Sequence, residues 1–252
     1  MDRVTNVKRF VPGGYRYIPG VFQYSGGVAA EPGFRIERAR LTRPLPLSEG
    51  FDRIEAHLTN IGRPASALCA CELRSPEPFT ESGFVTFNRQ YVERLEQWGL
   101  IAGGVNPVAR TNVCPVLDPP AEVVLSAFSY TAADDSGAGS FIIAGSGEAR
   151  EGLPEYRDSI VRFGETSPDA ICDKVRFVLV EMERRLSALG FSWGDAGSTQ
   201  AYTVHNIGGL VADEFVRRGA IRNGLEWHYA RPPVVGIEFE MDVRRPLLEH
   251  WI

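Results

Sequence analysis

Pro107-Val108-Ala109-Arg110-Thr111-Asn112-Val113 is the stretch of this sequence that most constrains its fold and its chemistry. An arginine stands at the entrance to an apolar strand, after a proline that restricts the backbone leading to it. A guanidinium is a planar fork of donors that can hold a carboxylate by two parallel hydrogen bonds. The heptapeptide alone leaves two interpretations open: a surface ion pair, or an anchor for an acidic ligand.

Short motifs, this arginine motif among them, recur later in the chain at a constant distance. Ala230-Arg231-Pro232-Pro233-Val234 repeats the arginine motif at an offset of 121 residues (231 − 110). Tyr24-Ser25-Gly26-Gly27 recurs as Gly145-Ser146-Gly147-Glu148 at the same offset (146 − 25). Two independent landmarks at one offset indicate a duplicated module. The repeat favours the interpretation of Arg110 as a ligand anchor.

The composition is that of a soluble globular protein, and it disfavours several classes of partner. The 252 residues carry a net charge of −5, which disfavours electrostatic binding to nucleic acid phosphates. No stretch approaches the roughly 18 apolar residues of a membrane span, and the N-terminus lacks the apolar core of a signal peptide. The four cysteines have no zinc-binding spacing. We therefore expect a cytoplasmic protein with reduced thiols and without a metal, cofactor, nucleic acid or membrane partner.

The first half of the chain is predicted to alternate strands and helices. Residues 48–62 predict a helix with a serine cap, one apolar stripe and a terminal glycine. The apolar segment 67–73 predicts a buried strand, and residues 81–98 predict a second helix. After the arginine strand, residues 122–130 predict another strand, and the small, polar segment 134–139 predicts a linker.

The second half repeats this order. Residues 140–144 predict a strand, and a long helix begins with Ser167 as its cap and ends at Gly190. The pattern then predicts a strand, a shorter helix and a strand, at residues 199–207, 208–219 and 225–231. The last strand is the clearest: apolar residues at positions 235, 237, 239, 241 and 243 alternate with glycine or charged residues, Glu238 and Glu240 among them.

Each half therefore has the order strands, helix, strand, helix, two strands. One four-stranded sheet with two helices on one face satisfies that order and defines an α+β fold. We predict two modules, residues 1–133 and 140–252, joined by a linker at 134–139. The helix-free face of such a sheet needs cover, and association of several copies would supply it. The expected assembly is an oligomer.

Motifs in both halves occur in the order found in one enzyme family. They are, in chain order, Ser25-Gly26-Gly27, Asn88-x-x-Tyr91, Pro107-x-Ala109-Arg110-Thr111, Ser146-Gly147-Glu148 and Ile237-Glu238-Phe239-Glu240. In this order the sequence resembles the Rid family of enamine/imine deaminases, also called YjgF-like. The resemblance implies two tandem Rid-like modules of chorismate-mutase-like fold, which assemble as a homotrimer into trimeric barrels. It also implies small-molecule sites in the clefts between modules.

The resemblance assigns roles to individual residues. Arg110 would grip the substrate carboxylate, and Glu238 on the last strand would orient the attacking water as general base. Backbone groups near Asn112 would help to hold the substrate, and Ser25 and Ser146 would line the pocket. The other candidate substrate-binding residues are Asn88, Tyr91, Glu148, His228 and Arg231.

Several of these residues also have a purely structural interpretation. Asn88 and Tyr91 would serve in packing and helix anchoring, and His228 would be a packed histidine with a backbone partner. Glu238 shares its face with two further acidic residues, which is also typical of a solvated or interface surface. Val124 stands in the first module where Glu238 stands in the second. For this reason we prefer a composite site, with Arg110 from one module and Glu238 from another.

The function that these expectations support is hydrolytic deamination of a small carboxylate-bearing enamine or imine, with water attacking a C=N bond. Imine hydrolysis needs a carboxylate anchor, an acceptor that orients water and a donor for the leaving nitrogen, and such acid–base help typically contributes about 10²–10⁴-fold in rate. Two alternatives remain. The first is a hydrolase of the same fold that cleaves another bond, a ring amide or a chorismate-type ether. The second is a non-catalytic metabolite-binding protein.

Overall fold

Two mixed β-sheets make up most of the protein. The computed structural model describes residues 6–101, 103–150 and 156–252. The strands, in chain order, are β1 (Lys8–Phe10), β2 (Tyr15–Ile18), β3 (Gly27–Ala30), β4 (Phe34–Pro46), β5 (Leu68–Arg74), β6 (Ala109–Pro115), β7 (Val124–Ala133), β8 (Phe141–Gly147), β9 (Ser198–Tyr202), β10 (Glu226–His228), β11 (Ala230–Arg231), β12 (Glu240–Arg245) and β13 (Leu248–Trp251). The helices are α1 (Leu47–Asn60), α2 (Glu81–Gln97), α3 (Tyr156–Ser159) and α4 (Pro168–Ala188).

The two sheets exchange strands between the halves of the chain. Sheet I has seven strands in the order β1-β2-β3-β8-β12-β9-β10, and sheet II has six in the order β11-β6-β5-β7-β4-β13. Three strands from the start of the chain thus complete the sheet that is built mainly by the second half. In return, β11 and β13 from the second half extend sheet II, where β13 runs parallel to β4.

Each sheet carries helices on one face only. The helix α4 covers sheet I, because its apolar stripe packs on the inward side chains of β8 and β12. As predicted, Ser167 caps α4 by accepting a hydrogen bond from the Ala170 N–H at 3.2 Å, and Pro168 occupies the first turn. The helices α1 and α2 cover sheet II. None of the helices in the described part of the chain has the length and apolar composition of a membrane span.

The helix-free faces of the two sheets pack against each other within one chain. Apolar side chains fill part of this interface, and a buried polar network fills the rest. Thr111 of β6 donates to the Asp242 carboxylate of β12 at 2.9 Å. Arg244 of β12 forms an ion pair with Glu72 of β5 at 2.7 Å, and Glu72 also pairs with Arg38 of β4 at 2.6 Å. The cover that we expected from other copies is therefore supplied by the chain itself.

The prediction of two tandem Rid-like modules that form trimeric barrels is wrong. The four strands β10-β9-β12-β8 follow the same order as β6-β5-β7-β4, which is the regularity that the sequence pattern detects. However, neither half is self-contained, because each sheet takes strands from both halves. The protein is a β-rich, two-sheet structure, and the proposed domain limits, with a linker at 134–139 between β7 and β8, stay a prediction.

Two details of the second half also differ from the expectation. The segment predicted as a helix at 208–219 is a 3₁₀ turn, Gly208–Leu210, followed by a π-helical stretch, Val211–Val216. Glycines at both ends of that segment disfavour a regular α-helix. The recurring arginine, Arg231, lies on β11, which pairs with β6 itself, so that Arg231 stands opposite Cys114. The arginine motifs are therefore not at equivalent positions of the two sheets.

The polar network between the sheets yields a prediction about stability. Burial disfavours ionisation of Glu72, but the guanidinium groups of Arg244 and Arg38 hold the pKa of its carboxyl well below the ordinary value. Glu72→Gln leaves two buried arginines without this charge, and we expect it to lower the free energy of unfolding by about 3–5 kcal/mol in urea denaturation. Asp213→Asn, which breaks an exposed ion pair with Arg217, should change it by less than about 1 kcal/mol. Equal effects of the two substitutions would contradict this account.

Candidate functional site

A cavity of about 280 Å³ opens where the two sheets meet. Its wall includes Arg110 and Asn112 of β6, Gly145 and Ser146 of β8, and Glu240 of β12. Both sheets therefore contribute polar groups to the same space. The rest of the wall is largely apolar and aromatic, and it includes Val21, Tyr24, Phe84, Val85, Tyr156, Pro233, Val234 and Ile237. In the described ranges, no three side chains of metal-ligating type lie close enough together to hold a metal ion.

Arg110 is a buried cation on the wall of this cavity. It is 3% exposed, and no carboxylate of the described residues lies within ion-pair distance of it. Its Nη1 donates to Asn88 Oδ1 at 2.6 Å, and its guanidinium lies 4.7 Å from the ring centre of Tyr91 and 4.9 Å from that of Tyr24. Burial lowers the pKa of Arg110, but a guanidinium remains charged at neutral pH. The arrangement leaves a positive charge available to an anionic ligand.

Asn88 and Tyr91 lie behind Arg110 rather than on the wall of the cavity. Both belong to the buried face of α2, whose first turn is fixed by Thr80, which accepts a hydrogen bond from the Gly83 N–H. Phe84 and Phe87 of the same helix also approach the guanidinium, with ring centres at 5.7 and 5.6 Å. The helix therefore holds Arg110 in place, and the structure supports the packing interpretation of Asn88 and Tyr91.

Asn112 offers a second donor to the cavity. It lies two residues after Arg110 on β6, so both side chains point to the same face of the strand. Its Oδ1 accepts a hydrogen bond from the Ser75 hydroxyl at 3.0 Å, whereas its Nδ2 has no partner among the described residues. A buried donor without an acceptor costs about 1–3 kcal/mol. A ligand in the cavity would satisfy it.

Glu240 is the acidic group of the cavity. It is 5% exposed, and no cation of the described residues lies within ion-pair distance of its carboxyl. Burial raises the pKa of Glu240 well above its ordinary value, the nearby Asp242 carboxylate raises it further, and Arg110 only partly opposes the rise. The carboxyl lies so close to Gly145 that any side chain at position 145 would collide with it. Glycine at this position thus leaves the space that the Glu240 carboxyl occupies.

The structure does not bring Glu238 into the cavity, contrary to the expectation for the general base. Its carboxylate lies 2.7 Å from His205 Nε2 and is absent from the wall. The alternating pattern predicts a single strand over residues 235–244. In the structure β12 begins only at Glu240, after a turn at Gly236 with φ +93°. Glu240 therefore occupies the place predicted for Glu238. The sequence signal was present, since both glutamates belong to the same alternating series.

The two serines of the recurring motif have different environments. Ser146 lies on the wall, where its Oγ accepts a hydrogen bond from Arg185 Nη2 at 3.2 Å. Ser25 is buried outside the wall, and its backbone N–H donates to the Val108 carbonyl at 2.9 Å. It joins sheet I to the strand that carries Arg110. Arg185 also lies on the wall. It was not among the predicted site residues, because in the sequence it looks like an ordinary residue of a helix.

Three other candidates lie away from the cavity. Glu148 is fully buried and pairs with Lys174 at 3.1 Å. His228 stacks on Tyr202 with 4.8 Å between ring centres, and burial lowers its pKa. The ring is thus packed, but the expected backbone partner is not found, since its Nε2 has no hydrogen-bond partner among the described residues. Arg231 is exposed on β11. None of the three is part of the wall.

Comparisons with known proteins identify the family. A family model described as 2-aminomuconate deaminase CnbZ matches residues 7–250. The chain belongs to this family. A 2-amino-5-chloromuconate deaminase from Comamonas testosteroni is 57% identical over 242 residues, which cover 95% of this chain and 96% of that protein. The expectation of an enzyme is confirmed: this CnbZ family member is a deaminase that acts on C–N bonds.

The assignment to the Rid family is therefore wrong, since the matching model is that of the CnbZ family. The motifs that suggested Rid are short, and each can recur wherever a tight turn or an arginine at a strand entrance is needed. Among solved structures, a chorismatase is similar in fold, with a TM-score of 0.53 and 10% identity. The match covers 90% of this chain and 78% of the chorismatase chain. At this identity the likeness shows the architecture alone.

The environment of Glu240 yields a prediction about stability and pH. Its pKa is raised in the folded state, so unfolding releases a proton once the pH exceeds the ordinary pKa of glutamate, and the folded state is then penalised by up to about 1.4 kcal/mol per pH unit. Glu240→Gln removes this penalty. In urea denaturation, we expect the variant to gain stability over the native protein as the pH rises from 4 to 7. Glu238→Gln, outside the cavity, should show no such gain, and parallel curves for Glu240→Gln and native protein would contradict the buried, neutral carboxyl.

Proposed function

We propose that this enzyme removes the amino group of a small, muconate-type enamine or imine by hydrolysis, with 2-aminomuconate as the reference substrate. The observation that carries the proposal is the buried guanidinium of Arg110, which lines the cavity and has no carboxylate of the described residues within ion-pair distance. A substrate carboxylate would supply the missing charge. The names of the family and of the 57% identical relative support the same substrate class.

In the proposed complex, a carboxylate of the substrate binds Arg110 and the free Nδ2 of Asn112. Charged hydrogen bonds of this kind contribute about 1.5–3 kcal/mol each. The aromatic and aliphatic part of the wall, with Phe84, Val85 and Ile237, then contacts the unsaturated carbon chain. The substrate would thus lie with its polar end against sheet II and its reacting carbon near Glu240 of sheet I.

Glu240 provides the proton transfers in this proposal. Its neutral carboxyl donates a proton to the enamine carbon, which leaves an iminium and a glutamate carboxylate. Water then adds to the C=N carbon and gives a proton back to Glu240, so a neutral carbinolamine forms. Glu240 next protonates the amino group, the C–N bond breaks, and the hydroxyl proton returns to Glu240 as the carbonyl forms. The net reaction is enamine plus water to ketone plus ammonia.

The proposed site needs one chain only. Arg110 comes from the first half and Glu240 from the second, and the packing of the two sheets brings them to one cavity. This replaces the composite of Arg110 and Glu238 that we expected from neighbouring modules. The expected homotrimer and the cytoplasmic location stay predictions.

The role of Arg110 can be tested with ammonia release from freshly prepared 2-aminomuconate. Because Arg110→Met removes the proposed anchor, we expect kcat/KM to fall by about 10–100-fold or more, in line with the loss of one or two charged hydrogen bonds. Arg231→Met is the matched control, because this arginine is exposed and outside the wall, and it should leave kcat/KM unchanged. Unchanged turnover in Arg110→Met would remove Arg110 from the mechanism.

A substrate control separates binding of the carboxylate from a general loss of structure. Methyl esters of 2-aminomuconate lack the charge that Arg110 is proposed to bind. Esterification of the anchored carboxylate should therefore slow the native enzyme but have little further effect on Arg110→Met. Product masses will distinguish loss of ammonia from cleavage of another bond.

A further inference from the structure

A buried ion pair outside the cavity lies directly behind the residues that lead to Glu240. Glu148, which follows β8, and Lys174 of α4 are both 0% exposed, and their charged groups are 3.1 Å apart. Burying two charges is unfavourable unless their hydrogen bonds are well satisfied. A buried ion pair is therefore weak evidence for a stabilising role. The other hydrogen bonds of Glu148 and Lys174 indicate a different role.

The Glu148 carboxylate accepts hydrogen bonds from two consecutive backbone amides. The Glu238 N–H donates to Oε1 at 2.7 Å, and the Phe239 N–H donates to Oε2 at 3.0 Å. These two residues precede β12 and therefore lack ladder partners for their amides. The carboxylate replaces the missing strand neighbour, immediately before Glu240. Burial raises the pKa of Glu148, and the Glu238 amide and the Lys174 ammonium oppose that rise.

Lys174 fixes the other side of the carboxylate. Its Nζ donates to Glu148 and, at 2.8 Å, to the carbonyl of Val161, whose own N–H donates to the Glu148 carbonyl at 2.9 Å. The pair thus ties α4 and the end of β8 to the segment that enters β12.

We infer that Glu148 and Lys174 form a positioning device for Glu240, holding the backbone of residues 238 and 239 so that the next side chain is directed into the cavity. This inference rests on the proposed function, in which Glu240 transfers protons. Glu148 is thereby reassigned from substrate contact to positioning residue. A displacement of about 1 Å at a reacting group can cost about 10²-fold in rate, so the device would act on kcat rather than on binding.

Two double variants separate the hydrogen bonds from the charges. Glu148→Leu/Lys174→Met replaces the pair by apolar side chains and leaves both amides without an acceptor. Glu148→Gln/Lys174→Met also removes the charges but keeps one side-chain oxygen, which can accept a hydrogen bond from one of the two amides. Glu214→Gln/Arg176→Met is the matched control, because it removes another ion pair of α4, at 2.7 Å, that does not touch residues 238–240. If the leucine variant does not fold, Glu148→Asp takes its place, since it keeps the charge but shortens the reach to the amides.

The first measurement is hydrogen exchange of the Glu238 and Phe239 amides, which requires no substrate. The loss of a buried hydrogen bond worth about 1–3 kcal/mol should accelerate exchange by about 10–100-fold in the leucine or aspartate variant. The glutamine variant should keep one of the two amides near the native rate, and the control should keep both there. Unchanged exchange in the leucine or aspartate variant would overturn the inference.

The second measurement is the kinetics of ammonia release from 2-aminomuconate. We expect kcat to fall by about 10²-fold in the leucine or aspartate variant with little change in KM, and to fall less in the glutamine variant, which keeps one of the two hydrogen bonds. An equal loss of kcat in the glutamine and leucine variants would contradict positioning through the amides. If the native enzyme released no ammonia, the proposed function would fail, and the exchange experiment would still decide whether the pair holds residues 238 and 239.

Discussion

The face-to-face contact of the two sheets is the constraint on which the rest of the structure depends. Hydrogen bonds and ion pairs cross it, from Thr111 to Asp242 and from Glu72 to Arg244. Arg110 directly precedes Thr111 in the sequence, and Glu240 lies two residues before Asp242. Once the network sets the relative position of β6 and β12, the guanidinium and the carboxyl of the cavity have little freedom left.

The polar groups of the cavity lower the stability of the empty protein. Among the described residues, a buried arginine without a carboxylate partner, a buried amide donor without an acceptor and a buried carboxyl with a raised pKa each raise the free energy of the empty protein. Proteins commonly accept such costs at functional sites, where stability and activity conflict. The surrounding elements compensate through aromatic contacts around Arg110. The unfavourable groups lie in one cavity, whereas the residues that line it come from both sheets.

Sequence reasoning recovered the local features and missed the long-range ones. The limits of α2 and α4 and the cap of α4 follow from short patterns whose physics is local. The roles of Asn112 and Ser146 came only from the family resemblance, although both side chains do lie with Arg110 on the wall of one cavity. The exchange of strands between halves does not follow, because pairing partners far apart in sequence leave no periodic signal. The choice of Glu238 failed for a related reason: alternation shows which residues share a face but not where the strand begins.

The exchange of strands also bears on how the protein is made on the ribosome. Sheet II lacks its edge strand β13, and sheet I lacks its interior strand β12, until nearly the whole chain has been synthesised. The nascent first half therefore holds unpaired strands that await partners encoded more than a hundred residues later. Domains that are contiguous in sequence can fold one after another during translation. In this protein Arg110 and Glu240 cannot meet in one cavity until translation is almost complete, so a truncated product lacks the assembled cavity.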